Sequence, residues 1–125
     1  MAAQPSLEQV FAWAGAGDLD KLANQTPPAM LSRPDATGTR AMHIAASKGR
    51  TAVLEWLMED EKRDTAINKP DEDARTPLHF AAWHGHAETV RALLEMGAIR
   101  DRPTRTGFTA LHYVTLTTIS MPRQG

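Results

Sequence analysis

Apolar residues in the centre of the chain follow two helical stripes with a short polar turn between them. One stripe is Leu78, Ala81 and Ala82, and the other is Val90, Leu93 and Leu94. Apolar positions at this spacing lie on one face of an α-helix. The pattern therefore predicts a helix from about Pro77 to Trp83 and a second from about Ala87 to Met96, with Gly85 in the turn.

Residues with strong turn and capping preferences mark the limits of this helix pair. The stretch from Asn68 to Asp73 is rich in Pro, Asp and Asn, so it predicts a projecting loop. Thr76 is a suitable N-cap, and Pro77 occupies the first helical position, where a missing N–H group has no cost. Gly97 stands just past the second helix, the usual place for a C-terminal glycine.

The same pattern recurs along the chain. His43 lies 36 residues before His79, and His112 lies 33 residues after it, each within a similar segment. Self-similarity at this period indicates stacked units that share a core with their neighbours. We therefore expect an extended binding surface and not an enclosed pocket.

The repeated segment resembles the ankyrin repeat, whose signature T-P-L-H-x-A is intact from Thr76 to Ala81. The resemblance implies an all-α solenoid of helix-turn-helix units joined by hairpin loops, with three to four repeats. The implied units, within a single domain of residues 1–125, are a divergent first repeat at about 5–31, a second at 35–67, a third at 71–100 and an incomplete fourth at 104–121. Ala74 stands where the family has a Gly before the signature.

Two segments near the middle of the chain depart from the family pattern. Three additional residues precede Asn68, in the charged run from Met58 to Asp64, which has no Gly to end a helix. We expect a longer second helix there, with the run serving either as a solvated helix end or as a docking patch. In the first repeat, Pro27 and Pro28 are expected to end the second helix early.

The C-terminal sequence has no pattern for the second helix that a last repeat needs. Val114, Thr115 and Thr118 replace the small residues and the Gly that follow the signature, and Pro122 comes soon after. Either the chain is a shortened form of a longer array, or its tail folds back as a cap. Since terminal repeats need a polar outer face, we expect this end to promote self-association.

Composition disfavours several classes of function. Fourteen Lys and Arg against fifteen Asp and Glu give a net charge of -1, which disfavours nucleic acid and anionic membranes as partners. The absence of Cys removes disulfide and thiolate chemistry and fits a reducing compartment. No apolar run has the roughly eighteen residues of a membrane span, and no secretory signal is recognisable. We therefore expect an intracellular protein, cytoplasmic or nuclear.

The histidines are better explained by structure than by chemistry. In the family that the chain resembles, the signature His hydrogen-bonds within and between repeats, which implies a structural role for His43, His79 and His112. Neighbouring repeats would place them about 10 Å apart, too far to share one zinc ion. His84 and His86 form an H-x-H pair at a turn, for which a weak metal site is the less favoured interpretation. No phosphate loop, calcium loop or nucleophile with a base is present, so no catalytic residue, metal or cofactor is predicted.

The resemblance also implies a binding face. In ankyrin repeats the loop tips and the outer side of the first helix form a concave surface. The matching positions here are Thr37, Thr39, Lys48, Glu72, Asp73, Arg75, Trp83, His84, Arg105 and Phe108. Trp83 is the main candidate, because Trp is among the residues most enriched at binding hot spots. The implied function is a non-catalytic protein-binding module, acting as adaptor, scaffold or inhibitory subunit; the alternative is a regulatory or substrate-recruiting fragment of a larger enzyme.

Overall fold

The computed structural model describes residues 5–110, which form seven α-helices and no β-strand within that range. The helices are α1 (Leu7–Ala16), α2 (Leu19–Gln25), α3 (Pro28–Leu31), α4 (Ala41–Ser47), α5 (Thr51–Met58), α6 (Pro77–Trp83) and α7 (Ala87–Glu95). Paired helices alternate with hairpin loops. The predicted all-α repeat architecture is confirmed.

Helices α6 and α7 show how one unit is built. α6 covers Pro77–Trp83, as predicted, while α7 ends at Glu95, one residue before the predicted limit. Gly85 has a φ of 78° in the turn, a left-handed conformation that glycine adopts without strain. The N–H of His86 donates to the carbonyl of Ala81 (3.0 Å), so that one carbonyl at the end of α6 keeps a partner.

Small residues allow the first helices of successive units to pack in a row. α4 packs against α1 on one side and against α6 on the other, and α5 packs against α7. Ala45 and Ala46 of α4 and Ala81 and Ala82 of α6 are fully buried, which lets the helices approach closely. Larger buried residues fill the space between the helices: Val10, Leu22, Met42, Val53, Leu54, Leu57, Leu78, Val90 and Leu93. The hydrophobic core is thus shared between neighbouring units.

Acidic side chains fix the backbone of the hairpin loops. Asp71 Oδ1 accepts hydrogen bonds from the N–H groups of Asp73 and Arg75, both at 2.9 Å. Asp35 accepts from the two corresponding N–H groups of its own loop, at 2.8 and 3.0 Å. Each carboxylate therefore takes the place of a backbone acceptor and holds a tight turn.

Successive loops are also joined to each other by main-chain hydrogen bonds. The N–H of Glu72 donates to the carbonyl of Thr37, and the N–H of Arg105 donates to the carbonyl of Asp73, each at 2.9 Å. The same type of bond thus recurs from one unit to the next. The loop tips form a continuous edge of the solenoid.

The prediction of a longer α5 is wrong. α5 ends at Met58, and a turn follows it. In this turn the side chain of Asp60 accepts from the N–H of Lys62 (2.9 Å), a local bond that competes with helix formation. Arg63 donates to the carbonyl of Trp56 (2.7 Å) and lies 4.1 Å from the centre of its ring. Arg63 therefore closes the end of α5 in the absence of a glycine.

The last residue of the charged run, Asp64, forms an unpredicted ion pair with Arg40 in the core. Both side chains are 2% exposed. Nη1 of Arg40 donates to Oδ2 of Asp64, and Nη2 donates to the carbonyls of Ala66 (2.9 Å) and Lys69 (3.3 Å). Among the described residues, Nε of Arg40 has no hydrogen-bond partner. The pair connects the start of α4 to the chain that leads into the next loop.

Helix α3 was also not predicted. α2 ends at Gln25, before the two prolines, as expected. Pro28 then begins a four-residue helix, because its fixed φ suits the first helical position. Met30 and Leu31 of this helix are buried and join the core of the first unit.

Ala74 adopts a strained conformation at a position where the matching loops have glycine. Its φ is 61°, against 80° for Gly38 and 90° for Gly107. We expect Ala74→Gly to raise the free energy of unfolding by about 0.5–1 kcal/mol, because the strain removed exceeds the entropy that glycine adds to the unfolded chain. Urea denaturation followed by circular dichroism measures this change.

Two reverse substitutions control the Ala74 experiment. Among residues 5–110, no atom lies within 4 Å of a Cβ placed on Gly107, so Gly107→Ala tests mainly backbone strain and should be mildly destabilising. A Cβ on Gly38 would lie 3.2 Å from Asp71 Cα, so Gly38→Ala should lower the free energy of unfolding more than Gly107→Ala does. A loss of stability in Ala74→Gly would contradict the strain argument.

Three predictions fall wholly or partly on residues 111–125, which lie outside the described residues. They are the incomplete fourth repeat to about residue 121, the structural role of His112, and self-association through the C-terminal end. They stay predictions.

Candidate functional site

The predicted binding residues lie in two rows along the solenoid. The row at the hairpin loops contains Thr37, Thr39, Glu72, Asp73, Arg75, Arg105 and Phe108, and the row at the ends of α4 and α6 contains Lys48, Trp83 and His84. Thr39 and Arg75 are half-buried, and the others are exposed. Trp83 and Phe108 are 51% and 41% exposed, which is unusual for large apolar side chains.

A depression beside α6 brings three of the predicted residues together. It has a volume of about 290 Å³ and is lined by Arg75, His79, Phe80, Trp83 and His84. We call it the Trp83 groove. Phe80 was missed from the sequence, because its position directly after the signature His matched neither the core stripe nor the predicted binding face. In the structure Phe80 is half-buried and lines the groove.

Arg75 is held rigidly at one side of the Trp83 groove. Its Nε donates to Oδ2 of Asp71 (2.9 Å), and its Nη2 lies 3.4 Å from Oδ2 of Asp73. Its guanidinium carbon lies 4.8 Å from the centre of the Phe80 ring, and His43 meets the same ring edge-on at 5.5 Å. Both carboxylates and the ring limit the rotamers of Arg75, so its position is set before any partner arrives.

A second depression continues from Arg75 toward the next loop. It has a volume of about 220 Å³ and is lined by Asp73, Arg75, Thr104, Arg105 and Thr106. Nη2 of Arg105 donates to the carbonyl of Glu72 (2.7 Å), which anchors this side chain across the loop edge. Arg75 therefore separates an aromatic depression from a polar one.

The buried histidines have structural contacts on both ring nitrogens. Nδ1 of His79 accepts from the N–H of Thr76 (2.9 Å), and its Nε2 donates to the carbonyl of Arg102, just before the fourth unit (2.6 Å). His43 repeats this arrangement with the N–H of Arg40 (3.0 Å) and the carbonyl of Arg75 (3.1 Å). One nitrogen accepts and the other donates, so each ring must be neutral. The predicted structural role of both residues is confirmed.

Burial keeps these two rings neutral over a wide pH range. Burial, and next the charge of Arg40, lower the pKa of His43 to about 4. Burial likewise lowers the pKa of His79. A protonated ring would also present an N–H group to the N–H of Arg40 or Thr76, so protonation and the observed hydrogen bonds are incompatible.

His84 and His86 do not form a metal site with other side chains of the described residues. Their rings stack with centres 6.3 Å apart, and Nε2 of His86 donates to the carbonyl of Ser47 (2.9 Å). Within residues 5–110 there is no group of three or more His, Cys, Asp or Glu arranged to hold a metal ion. In the same part of the chain, no helix has the length and hydropathy needed to cross a membrane.

Comparison with known proteins gives the family. A family model described as ankyrin repeats (3 copies) matches residues 14–102 and, in a second alignment, residues 42–118. These matches cover most of the chain, and they agree with the helix pairs, the hairpin loops and the signature histidines. The chain belongs to the ankyrin-repeat family, whose repeats are generally protein-interaction modules.

Curated relatives share the repeats but are much longer proteins. Inversin of Danio rerio is 46% identical over 68 residues, which is 54% of this chain and 7% of that protein. Probable protein S-acyltransferase 23 of Arabidopsis thaliana is 40% identical over 72 residues, which is 58% of this chain and 13% of that protein. Ankyrin repeat domain-containing protein 49 of Bos taurus is 44% identical over 54 residues, which is 43% of this chain and 22% of that protein. The chain therefore spans less than a quarter of each of these relatives.

Proposed function

We propose that this chain is a non-catalytic adaptor, scaffold or inhibitory module that binds a partner protein on its concave face. The face is formed by the ten predicted residues, with the Trp83 groove at its centre. The observation that carries the proposal is the half-exposed Trp83 beside a preorganised Arg75, since Trp and Arg dominate binding hot spots. Rigid presentation of these side chains lowers the entropy cost of binding.

The absence of catalysis and the compartment are part of the proposal. His43 and His79 are used in structural hydrogen bonds, and this supports a non-catalytic role. The near-zero net charge supports a protein partner over nucleic acid or a membrane surface, and a chain without Cys suits an intracellular location, cytoplasmic or nuclear.

Truncation of Trp83 tests the binding face. We expect Trp83→Ala to weaken binding of the partner by about 2 kcal/mol or more, roughly 30-fold, because a hot-spot side chain is lost. Partners captured from cell extract by the wild type would be identified by mass spectrometry, and their affinities for both proteins would then be measured by calorimetry. Circular dichroism should be unchanged, since Trp83 is exposed.

Ile99→Ala is the matched control for Trp83→Ala. Ile99 is 44% exposed, and it lies after α7, outside the proposed face. We expect it to leave affinity unchanged. Equal affinity of wild type and Trp83→Ala for every partner would contradict the assignment of the groove.

A second candidate function is supported by one of the relatives. The similarity to a protein named as a probable S-acyltransferase, of which the chain matches 13%, favours a regulatory or substrate-recruiting segment of a larger enzyme. Sequencing the transcript on both sides of the codons for this chain tests it. A catalytic domain in the same reading frame is the expected result for this candidate, and stop codons on both sides would reject it.

A further inference from the structure

The side chains that line the Trp83 groove favour an uncharged partner. Arg75 is the one side chain with a permanent charge among the described residues that line the groove, and it is already paired with Asp71 and Asp73. A carboxylate of a partner gains little from a guanidinium that two carboxylates compensate, and a cation would be repelled by the same guanidinium. Electrostatic attraction therefore selects neither an acidic nor a basic segment.

The hydrogen-bonding groups of these side chains are mostly donors. The guanidinium of Arg75 and the indole of Trp83 can donate but not accept, and the ring of Phe80 does neither. Both ring nitrogens of His79 are used in structural bonds. Burial, and next the charges of two neighbouring side chains, lower the pKa of His84, so its ring is neutral at pH 7 and has one acceptor nitrogen. Among the described lining residues, that nitrogen is the one side-chain acceptor left for a partner.

Arg75 also keeps a donor group for a partner. Its Nε donates to Oδ2 of Asp71 (2.9 Å), and its Nη2 lies 3.4 Å from Oδ2 of Asp73. Within residues 5–110, its Nη1 forms no hydrogen bond. The other contacts fix the guanidinium, so Nη1 is a positioned donor, and a neutral carbonyl oxygen suits it because no further negative charge is needed there.

We infer that the Trp83 groove takes an uncharged, proline-rich protein segment in the polyproline II conformation. The inference rests on the proposed function and specifies the partner. Prolines bring carbonyl acceptors without N–H donors, which matches a groove that has donors and a single free side-chain acceptor. Another kind of segment would place N–H groups in the groove, where they lose water and find few acceptors.

The aromatic lining supports the same partner. The rings of Phe80 and Trp83 offer apolar faces to proline rings, and Trp83 is 51% exposed. Proline-rich segments dock in aromatic-lined grooves, and their preformed backbone lowers the entropy cost of binding. This helix has three residues per turn, so prolines three positions apart lie on one side of it. The expected segment therefore carries at least one such pair of prolines.

Selection from random peptides tests the inference without a known partner. A phage library of random dodecapeptides is selected on the full 125-residue chain, and fluorescein-labelled winners are titrated by fluorescence anisotropy. We expect winners that are rich in proline, with prolines three positions apart. Trp83→Ala should weaken their binding roughly 30-fold, as for loss of a hot spot. Ile99→Ala, outside the groove, should leave their binding unchanged.

Exchange of single prolines in a winning peptide tests the role of the missing N–H group. Alanine in place of a proline that contacts the groove should weaken binding by about five- to 150-fold, the range for one buried N–H group without a partner. N-methylalanine at the same position also lacks the N–H group and should bind more tightly than alanine. Equal binding of the alanine and N-methylalanine peptides at every position would contradict the match of donors and acceptors.

The outcomes distinguish failure of the inference from failure of the proposed function. The inference is overturned if no peptide is enriched or if the winners are not rich in proline. Winners without proline that lose binding with Trp83→Ala keep the proposed function and reject the partner class. Proline-rich winners that bind Trp83→Ala as well as the wild type reject the groove itself. A dimer in sedimentation that Trp83→Ala dissociates also overturns the inference, since the occupant is then a second copy.

Discussion

Asp64→Asn is expected to lower the free energy of unfolding by about 3–5 kcal/mol, because it leaves the buried guanidinium of Arg40 without a counter-charge. A loss of this size is a large part of the stability of a small domain. Chemical denaturation of wild type and variant at pH 7, followed by circular dichroism, measures the change. A variant that is already unfolded at a low denaturant concentration would indicate a loss near the upper end of this range, about 5 kcal/mol.

An exposed ion pair and a double variant control this experiment. Glu59 lies 3.7 Å from Arg63 and its side chain is 70% exposed, so Glu59→Gln should cost less than about 0.5 kcal/mol. The double variant Arg40→Met, Asp64→Leu should be more stable than either single variant, since it leaves no unpaired charge. Full recovery is not expected, because the carbonyls of Ala66 and Lys69 lose their donor. Equal losses for Glu59→Gln and Asp64→Asn would contradict the burial argument.

The protein should lose stability as the pH falls from 7 to 5. The pKa of His43 is about 4 in the folded protein and near 6.5 in the unfolded chain, so the unfolded chain binds more protons between these values. Stability is therefore highest above pH 6.5 and decreases toward pH 4. His43 alone accounts for about 2 kcal/mol between pH 7 and pH 5, and His79 acts in the same direction. Urea unfolding in buffers of equal ionic strength measures this slope.

Substitution of His43 separates its contribution from that of other groups. His43→Gln should be less stable at pH 7 but should depend less on pH, because no imidazole is left at that position to be protonated. His84→Gln should change the slope less, since His84 is exposed. Wild-type stability that is equal at pH 5 and pH 7 would show that the buried rings are not held neutral.

The helices of the third unit were predictable because local signals agree there. The apolar spacing, Pro77 at the first helical position and Gly85 in the turn all specify the same pair, and the structure differs by one residue at the end of α7. The end of α5 was not predictable in this way. The last turn of α5 is closed by a hydrogen bond from the side chain of Arg63 to the carbonyl of Trp56, and Arg63 has no fixed position in the repeat pattern.

The buried ion pair could not be found from spacing either. Arg40 stands where the signature in the third unit has Thr76, and both residues use their N–H groups for the same bond to a histidine. The guanidinium requires a partner, and Asp64 is 24 residues away in the segment that is longer than its counterpart. The sequence shows the unusual Arg40 and the longer segment as two separate features. Only the folded structure shows that Asp64, in that segment, supplies the counter-charge for Arg40.

The candidate face was predictable in part. The repeat pattern indicates which positions point outward, and the exposure of Trp83 and Phe108 agrees with it. The repeat pattern does not show that Phe80 lines the groove, nor that Arg75 is fixed by two carboxylates and a ring, because those contacts depend on side-chain rotamers.

The bonds between loops, from Glu72 to Thr37 and from Arg105 to Asp73, have one form and connect only adjacent units. A complete unit inserted by gene duplication would meet the same donors and acceptors at both of its new junctions. Array length is therefore free to change in evolution or by engineering, and a wider footprint can be built by adding copies of the central unit.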